Sequence, residues 1–191
     1  MSQIKLVVGL GNPGSSYEKT RHNVGFWALD ALVQRYQLTW KQAPKGKAQC
    51  CRLTWPSQEG AWLLKPSRYM NESGFDVSLV ASYYQIEPSQ IMILHDELDF
   101  EPGVLRVKVS GGHGGHNGIR NIAQLLGDPG FVRVRFGIGR SKGATDRYVL
   151  SIPPSHDMVK IKQAVEIFVD ESESLIGGDF DQAVQRIHLS S

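Results

Sequence analysis

IKLVVGLGNPGSSYEKTRHNVGFWALDALVQRY, residues 4–36, carries the pattern on which the fold turns. Its opening residues, Ile4–Val8, form a nearly continuous apolar run that ends in glycine-rich sequence, the mark of a strand buried on both faces. A polar, irregular segment follows. From Asn23 to Tyr36 the residues Val24, Trp27, Ala28, Ala31 and Tyr36 then recur at helical spacing. Buried strand, loop and amphipathic helix, in that order, predict a layered α/β fold.

The rest of the chain extends this alternation. Cys50–Trp55 and Ala61–Leu64, separated by PSQEG, read as a strand pair, and Val77, Val80, Ala81 and Tyr84 mark a second helix closed before Pro88. Ile91–Leu94 is another buried strand, expected to end at His95-Asp96, while Val104–Val109 alternates apolar and basic residues as a strand with one wet face does. After a Gly/His loop at 111–118, a short helix to about Leu126 and a strand over Val132–Ile138 are expected. Met158, Ile161, Val165, Phe168 and Leu175 form one stripe of a tail helix over 155–176, stopped by Gly177-Gly178. That stripe fits either a lid over a site or packing on the sheet. With no internal repeat and no linker, residues 1–191 read as a single domain.

Composition narrows the function classes. Hydrophobic residues at 41% and charged residues at 21% are ordinary globular values, and no apolar run reaches membrane-spanning length. The N-terminus lacks a basic leader region and a small-residue cleavage site, and the adjacent Cys50 and Cys51 suit free thiols, so a cytoplasmic location is expected. The net charge of +2 hides a gradient: residues 103–147 hold eight basic and two acidic side chains, whereas 148–191 hold three and seven. A basic stretch of this kind suits a polyanionic partner or a solvated surface.

Four stretches carry polar groups with chemical potential. Gly9-Leu10-Gly11-Asn12-Pro13-Gly14 matches the dinucleotide fingerprint, which would make the chain a nucleotide-dependent oxidoreductase. However, Pro13 supplies no N–H, no helix opens at the loop, and Asp30 falls inside the expected first helix. His22 at the helix entry and Asp96 at a strand end suit a histidine oriented by a carboxylate, able to take a proton from water near neutral pH. Taken alone, His22 reads as a capping histidine and Asp96 as a loop residue. In SGGHGGHNG, residues 110–118, His113 and His116 lack the helical pairing of a zinc site and have no cysteine partners, so no metal is expected. In KPSRYMNESG, residues 65–74, Asn71 reads as a helix cap and Met70 as core. No serine or cysteine occupies a nucleophile-elbow context.

Together these blocks resemble the bacterial-type peptidyl-tRNA hydrolase family. VVGLGNPGSSYEKTRHNVGFWALDAL, LLKPSRYMNESG, ILHDELDFEPGVLRVKVSGGHGGHNGIRNI and FVRVRFGIGR fall in that family's order across nearly the whole chain. The resemblance implies one domain with a twisted mixed β-sheet flanked by α-helices, and hydrolysis of the ester joining a peptide to the 3′ end of tRNA. It implies His22 as general base, Asp96 as its orienting carboxylate, and Asn12, Asn71 and Asn117 as amides that hold ester, peptide main chain and water. Tyr17, Met70 and His116 would line the site, and Lys108 with Arg135 would clamp a tRNA phosphate. If that clamp is absent, Arg140, Lys142 and Arg147 are the next cations to consider. A monomer with no cofactor and no membrane contact is expected, acting on peptidyl-tRNA. The alternative is a non-catalytic RNA-binding relative that keeps the basic strand without using the dyad.

Overall fold

The computed structural model describes residues 2–56, 58–140 and 143–190. Its centre is a seven-stranded sheet in the order β2-β3-β4-β1-β5-β7-β6. The strands are β1 (Leu6–Gly9), β2 (Lys41–Gln42), β3 (Gln49–Trp55), β4 (Gln58–Lys65), β5 (Ile91–Glu97), β6 (Leu105–Val109) and β7 (Val132–Gly137). The central pairs β4–β1, β1–β5 and β5–β7 are parallel, whereas β2–β3, β3–β4 and β6–β7 are antiparallel. The helices are α1 (Val24–Arg35), α2 (Ser73–Tyr84), α3 (Asn117–Leu126), α4 (Thr145–Val149), α5 (Ser155–Gly177) and α6 (Phe180–Ser190). This is the mixed α/β sheet expected.

The sheet divides the interior into two apolar cores. One holds Val7, Leu94, Val134 and Phe136 against Leu29 of α1, Phe168 of α5 and Ile187 of α6. The other holds Val8 and Ile93 against Val77 and Val80 of α2 and Ile119 and Ile122 of α3. Cys50 and Cys51 are free and buried, one in each core, as strand alternation requires. The stripe of α5 is buried in the first core, with Ile161, Val165 and Phe168 packed beside α1 and the sheet. The helix meets the site region at its start, where Asp157 pairs with Arg21 at 3.6 Å.

Two features set the position of functional groups. A Cβ on Gly9 would lie 2.3 Å from the carbonyl oxygen of Gly25, and one on Gly25 would lie 2.3 Å from that of Leu94. Gly9 at the end of β1 and Gly25 in the first turn of α1 therefore let β1, β5 and the start of α1 touch backbone to backbone, a packing role rather than a pyrophosphate cradle. Strand β5 also runs further than its apolar residues suggest. His95, Asp96 and Glu97 stay in the ladder opposite Arg135, Phe136 and Gly137, because β7 continues to supply partners.

Candidate active site

Parallel pairing puts the ends of β1 and β5 side by side, and α1 enters over them through a 3₁₀ turn at Arg21–Asn23. That turn carries His22 onto Asp96, 74 positions later, with Nδ1 2.8 Å from Oδ1. Asp96 is 3% exposed, and the same Oδ1 lies 3.0 Å from Nε2 of His116. The protons follow from the partners. Nδ1 of His116 caps α3 by accepting from the backbone N–H groups of Gly118 and Ile119, so its proton sits on Nε2 and is donated to Asp96. His22 donates from Nδ1 to the same oxygen, which leaves Nε2 bare to accept a proton.

Charge follows the same geometry. Burial opposes ionisation of Asp96, but the two imidazoles outweigh it and hold the carboxyl well below its usual range. Burial likewise opposes the imidazolium of His22, yet the charge and hydrogen bond of Asp96, with a contribution from Asp146, raise its pKa above 6.5. His95, the next residue along β5, is a different case. Burial and the neighbouring His116 lower its pKa to about 3, and its Nδ1 donates to the carbonyl of Asp96 at 2.7 Å. It is a neutral packing partner of His116, with ring centroids 4.8 Å apart.

Asn12 is held on three sides. Asn23 accepts from its backbone N–H and donates to its carbonyl, each at 2.9 Å, and the N–H of Met70 donates to its side-chain oxygen at 2.7 Å. With that oxygen taken, Asn12 has its NH₂ to offer a ligand. Asn12, Tyr17, His22, Met70, Asn71 and Asn117 line one cleft of about 430 Å³, whose far wall is Asp146, Val149 and Leu150 from α4 and its end. A larger groove of about 570 Å³ runs from Asn12 along α1 to Asp30 and Lys65. His22 lines the smaller cleft and is bonded behind it to the buried Asp96.

Comparison with known proteins agrees along the chain's length. Residues 6–191 match the family model described as peptidyl-tRNA hydrolase. A peptidyl-tRNA hydrolase of Methylococcus capsulatus is 43% identical over 97% of this chain and 100% of its own. One from Coxiella burnetii is 44% identical over 97% of both. The crystal structure of an Arg119Gln mutant of the Acinetobacter baumannii enzyme superposes with a TM-score of 0.93 at 42% identity, covering 98% of this chain and 96% of that one. The chain belongs to the peptidyl-tRNA hydrolase family.

Away from the cleft, the antiparallel pair β6–β7 concentrates positive charge. Its register sets Lys108 opposite Arg133 and Arg106 opposite Arg135, so all four cations share the sheet face away from α5 and α6. Lys108 and Arg135 are thus diagonal neighbours on one face and stand apart from the residues lining the cleft. Lys108 is exposed, whereas Arg135 is half-buried over the Phe100 ring at 4.7 Å and 3.7 Å from Glu97. Arg140 pairs with Asp99, Arg147 is exposed on α4, and Lys142 lies outside the described residues.

His22, Asp96 and His116 present ligating atoms within 4.8 Å of one another, a set that can hold a divalent ion. Those atoms already bond to each other through two protons that an ion would displace. His113 binds the N–H of Gly115 at 3.1 Å through its Nδ1. Sequence reading singled out neither Asn23, the clasp on Asn12, nor the α4 wall. Asn23 adjoins His22, but no spacing rule ties it to a loop eleven residues earlier.

Proposed function

We propose that the chain hydrolyses the ester between a peptide, or an N-blocked amino acid, and the 3′-terminal ribose of tRNA, returning the tRNA to use. The observation that carries this is His22 fixed through Nδ1 on the buried Asp96, with Nε2 left free in the same cleft as the Asn12 amide. An ester of this kind is activated enough for direct attack by water. His22 takes the water proton, Asp96 stabilises the imidazolium that forms, and the NH₂ of Asn12 donates to the water or to the oxyanion; as the tetrahedral intermediate collapses the acyl–ribose C–O bond breaks, and His22 returns the proton to the departing ribose oxygen. Asn71 holds the peptide through main-chain hydrogen bonds, which suits a substrate of variable sequence, and Asn117 positions the substrate or the attacking water. Tyr17 and Met70 give the acyl chain an apolar wall, and His116 holds Asp96 from its second side. Lys108 and Arg135 take a backbone phosphate, a contact that positions tRNA without reading its sequence.

On the same reading the enzyme works without a cofactor, as a monomer in the cytoplasm. The free thiols of Cys50 and Cys51 support a reducing compartment, and no described helix is long and apolar enough to cross a membrane. The test is release of an N-blocked amino acid from blocked aminoacyl-tRNA, with free aminoacyl-tRNA as the contrast. His22→Ala should lose on the order of 10²–10⁴-fold in rate. Near-native turnover by that variant would remove His22 as the base, and absence of release by the native chain would refute the activity.

A further inference from the structure

We propose that Arg133 is a positioning residue of this active site: its buried guanidinium fixes the backbone of the glycine–histidine loop from which His116 and Asn117 reach the ester. The inference rests on the function proposed above and adds a residue that the phosphate clamp does not explain.

Arg133 points to the same face of β7 as Arg135 but is 3% exposed. Nη1 donates to the carbonyl of Gly112 at 2.5 Å, and Nη2 donates to that of Gly111. Among the described residues no carboxylate pairs with it, and its Nε has no partner. The group lies over the Phe131 ring at 4.9 Å. A guanidinium taken out of water without a counter-charge is costly, so two carbonyls and one ring are a poor return unless holding them matters elsewhere.

The loop needs such an anchor. Ser110 and Gly111 have φ of 62° and 108°, so the chain leaves β6 through consecutive left-handed residues and off the strand ladder. Both carbonyls at this turn aim at one planar fork, a geometry an ammonium cannot copy. Beyond it the loop closes on itself, with the N–H of His116 bonded to the carbonyl of His113 at 2.9 Å. It then delivers His116 to Asp96 at 3.0 Å. Lys108 reaches the same turn from β6, since a Cβ on Gly111 would lie 2.7 Å from its Nζ. Arg133 therefore stands between the cations offered to tRNA and the loop that serves the chemistry, and is too buried to contact a phosphate itself.

The experiment compares native enzyme with Arg133→Lys on full-length blocked aminoacyl-tRNA and on a short 3′-terminal nucleotide ester that lacks the distant phosphates. With the fork lost and the charge kept, kcat should fall at least roughly tenfold on both substrates, because a small displacement of catalytic groups is expensive. KM should change little on either. Hydrogen exchange at the Gly118 and Ile119 amides, which bond to His116, should quicken while the amides of β1 and β5 stay protected. Unchanged kcat on the short ester would overturn the proposal, as would a defect confined to KM on full-length substrate, which would make Arg133 one more phosphate cation. If a melting curve shows that Arg133→Lys does not fold, Arg133→Gln, which keeps one donor and no charge, is read by the same criteria. Release by the native chain from the short ester is a separate result and tests the activity itself.

Discussion

Replacing Asp96 with asparagine isolates what one charge does for the proposed base. The change keeps the shape, and the amide orientation is dictated: His22 and His116 both direct N–H groups at Oδ1, so the asparagine oxygen must take that place and accept from both. What disappears is the negative charge. A hydrogen bond to a charged group contributes about 1.5–3 kcal/mol and a neutral one about 0.5–1.5, so the imidazolium of His22 loses ~1–2 kcal/mol of stabilisation. At 1.36 kcal/mol per unit this lowers its pKa by about one unit and slows proton abstraction by roughly 5–30-fold. The sign is definite. His22 must be neutral to accept a proton, and in the native protein its pKa is raised above 6.5, so kcat/KM falls as pH drops through a midpoint above 6.5. In Asp96→Asn that midpoint moves to lower pH while the alkaline plateau drops, so the two enzymes differ least in acid. The assay is kcat/KM on blocked aminoacyl-tRNA from acid to mildly alkaline pH. An acid limb that stays in place while the plateau falls would refute the assignment of that limb to His22.

Asn23→Ala removes both hydrogen bonds to the backbone of Asn12 and leaves a buried N–H and C=O unpaired. It should destabilise the fold by about 2–5 kcal/mol, measured by denaturant unfolding, and lower kcat as Asn12 shifts. Lys108→Ala or Arg135→Ala should raise KM for full-length substrate with little change in kcat, and flatten the salt dependence by somewhat less than one unit of slope for each phosphate no longer neutralised; equal KM values at low salt would show both to be surface cations. EDTA should leave the rate unchanged, and activity restored by zinc after chelation would make His22, Asp96 and His116 a metal centre.

Much of the fold was legible because its strands are written as apolar runs and its long helices as stripes. The limits of legibility have physical causes. β5 continues through His95-Asp96-Glu97 on backbone pairing with β7, which side-chain pattern does not record. α4 is five residues long, too short for a period to show, and α6 follows the glycines expected to close the chain's last helix. At the site, His22 and Asp96 were visible as chemistry, but their meeting depends on β1 lying next to β5, a matter of strand order. The sharing of one carboxylate oxygen by two histidines could not be read, because His116 looks like a loop residue until its Nδ1 is seen to cap α3. In the basic strand, alternation placed the cations on one face without saying that Arg133 would be covered and Lys108 left open.

The position of β6 at the end of the sheet gives its charges a second use. A terminal strand presents an outer row of N–H and C=O groups to which another chain can pair; here α6 covers part of that row, with the N–H of Val107 donating to Nε2 of His188 at 3.0 Å, and lysine and arginine side chains guard the strand further by repulsion and hydration. Arg106 and Lys108 stand on that strand. Substitutions that neutralise these side chains to test the proposed phosphate contact would therefore also remove a guard on solubility, and such variants are best compared at low protein concentration, with light scattering beside the kinetics.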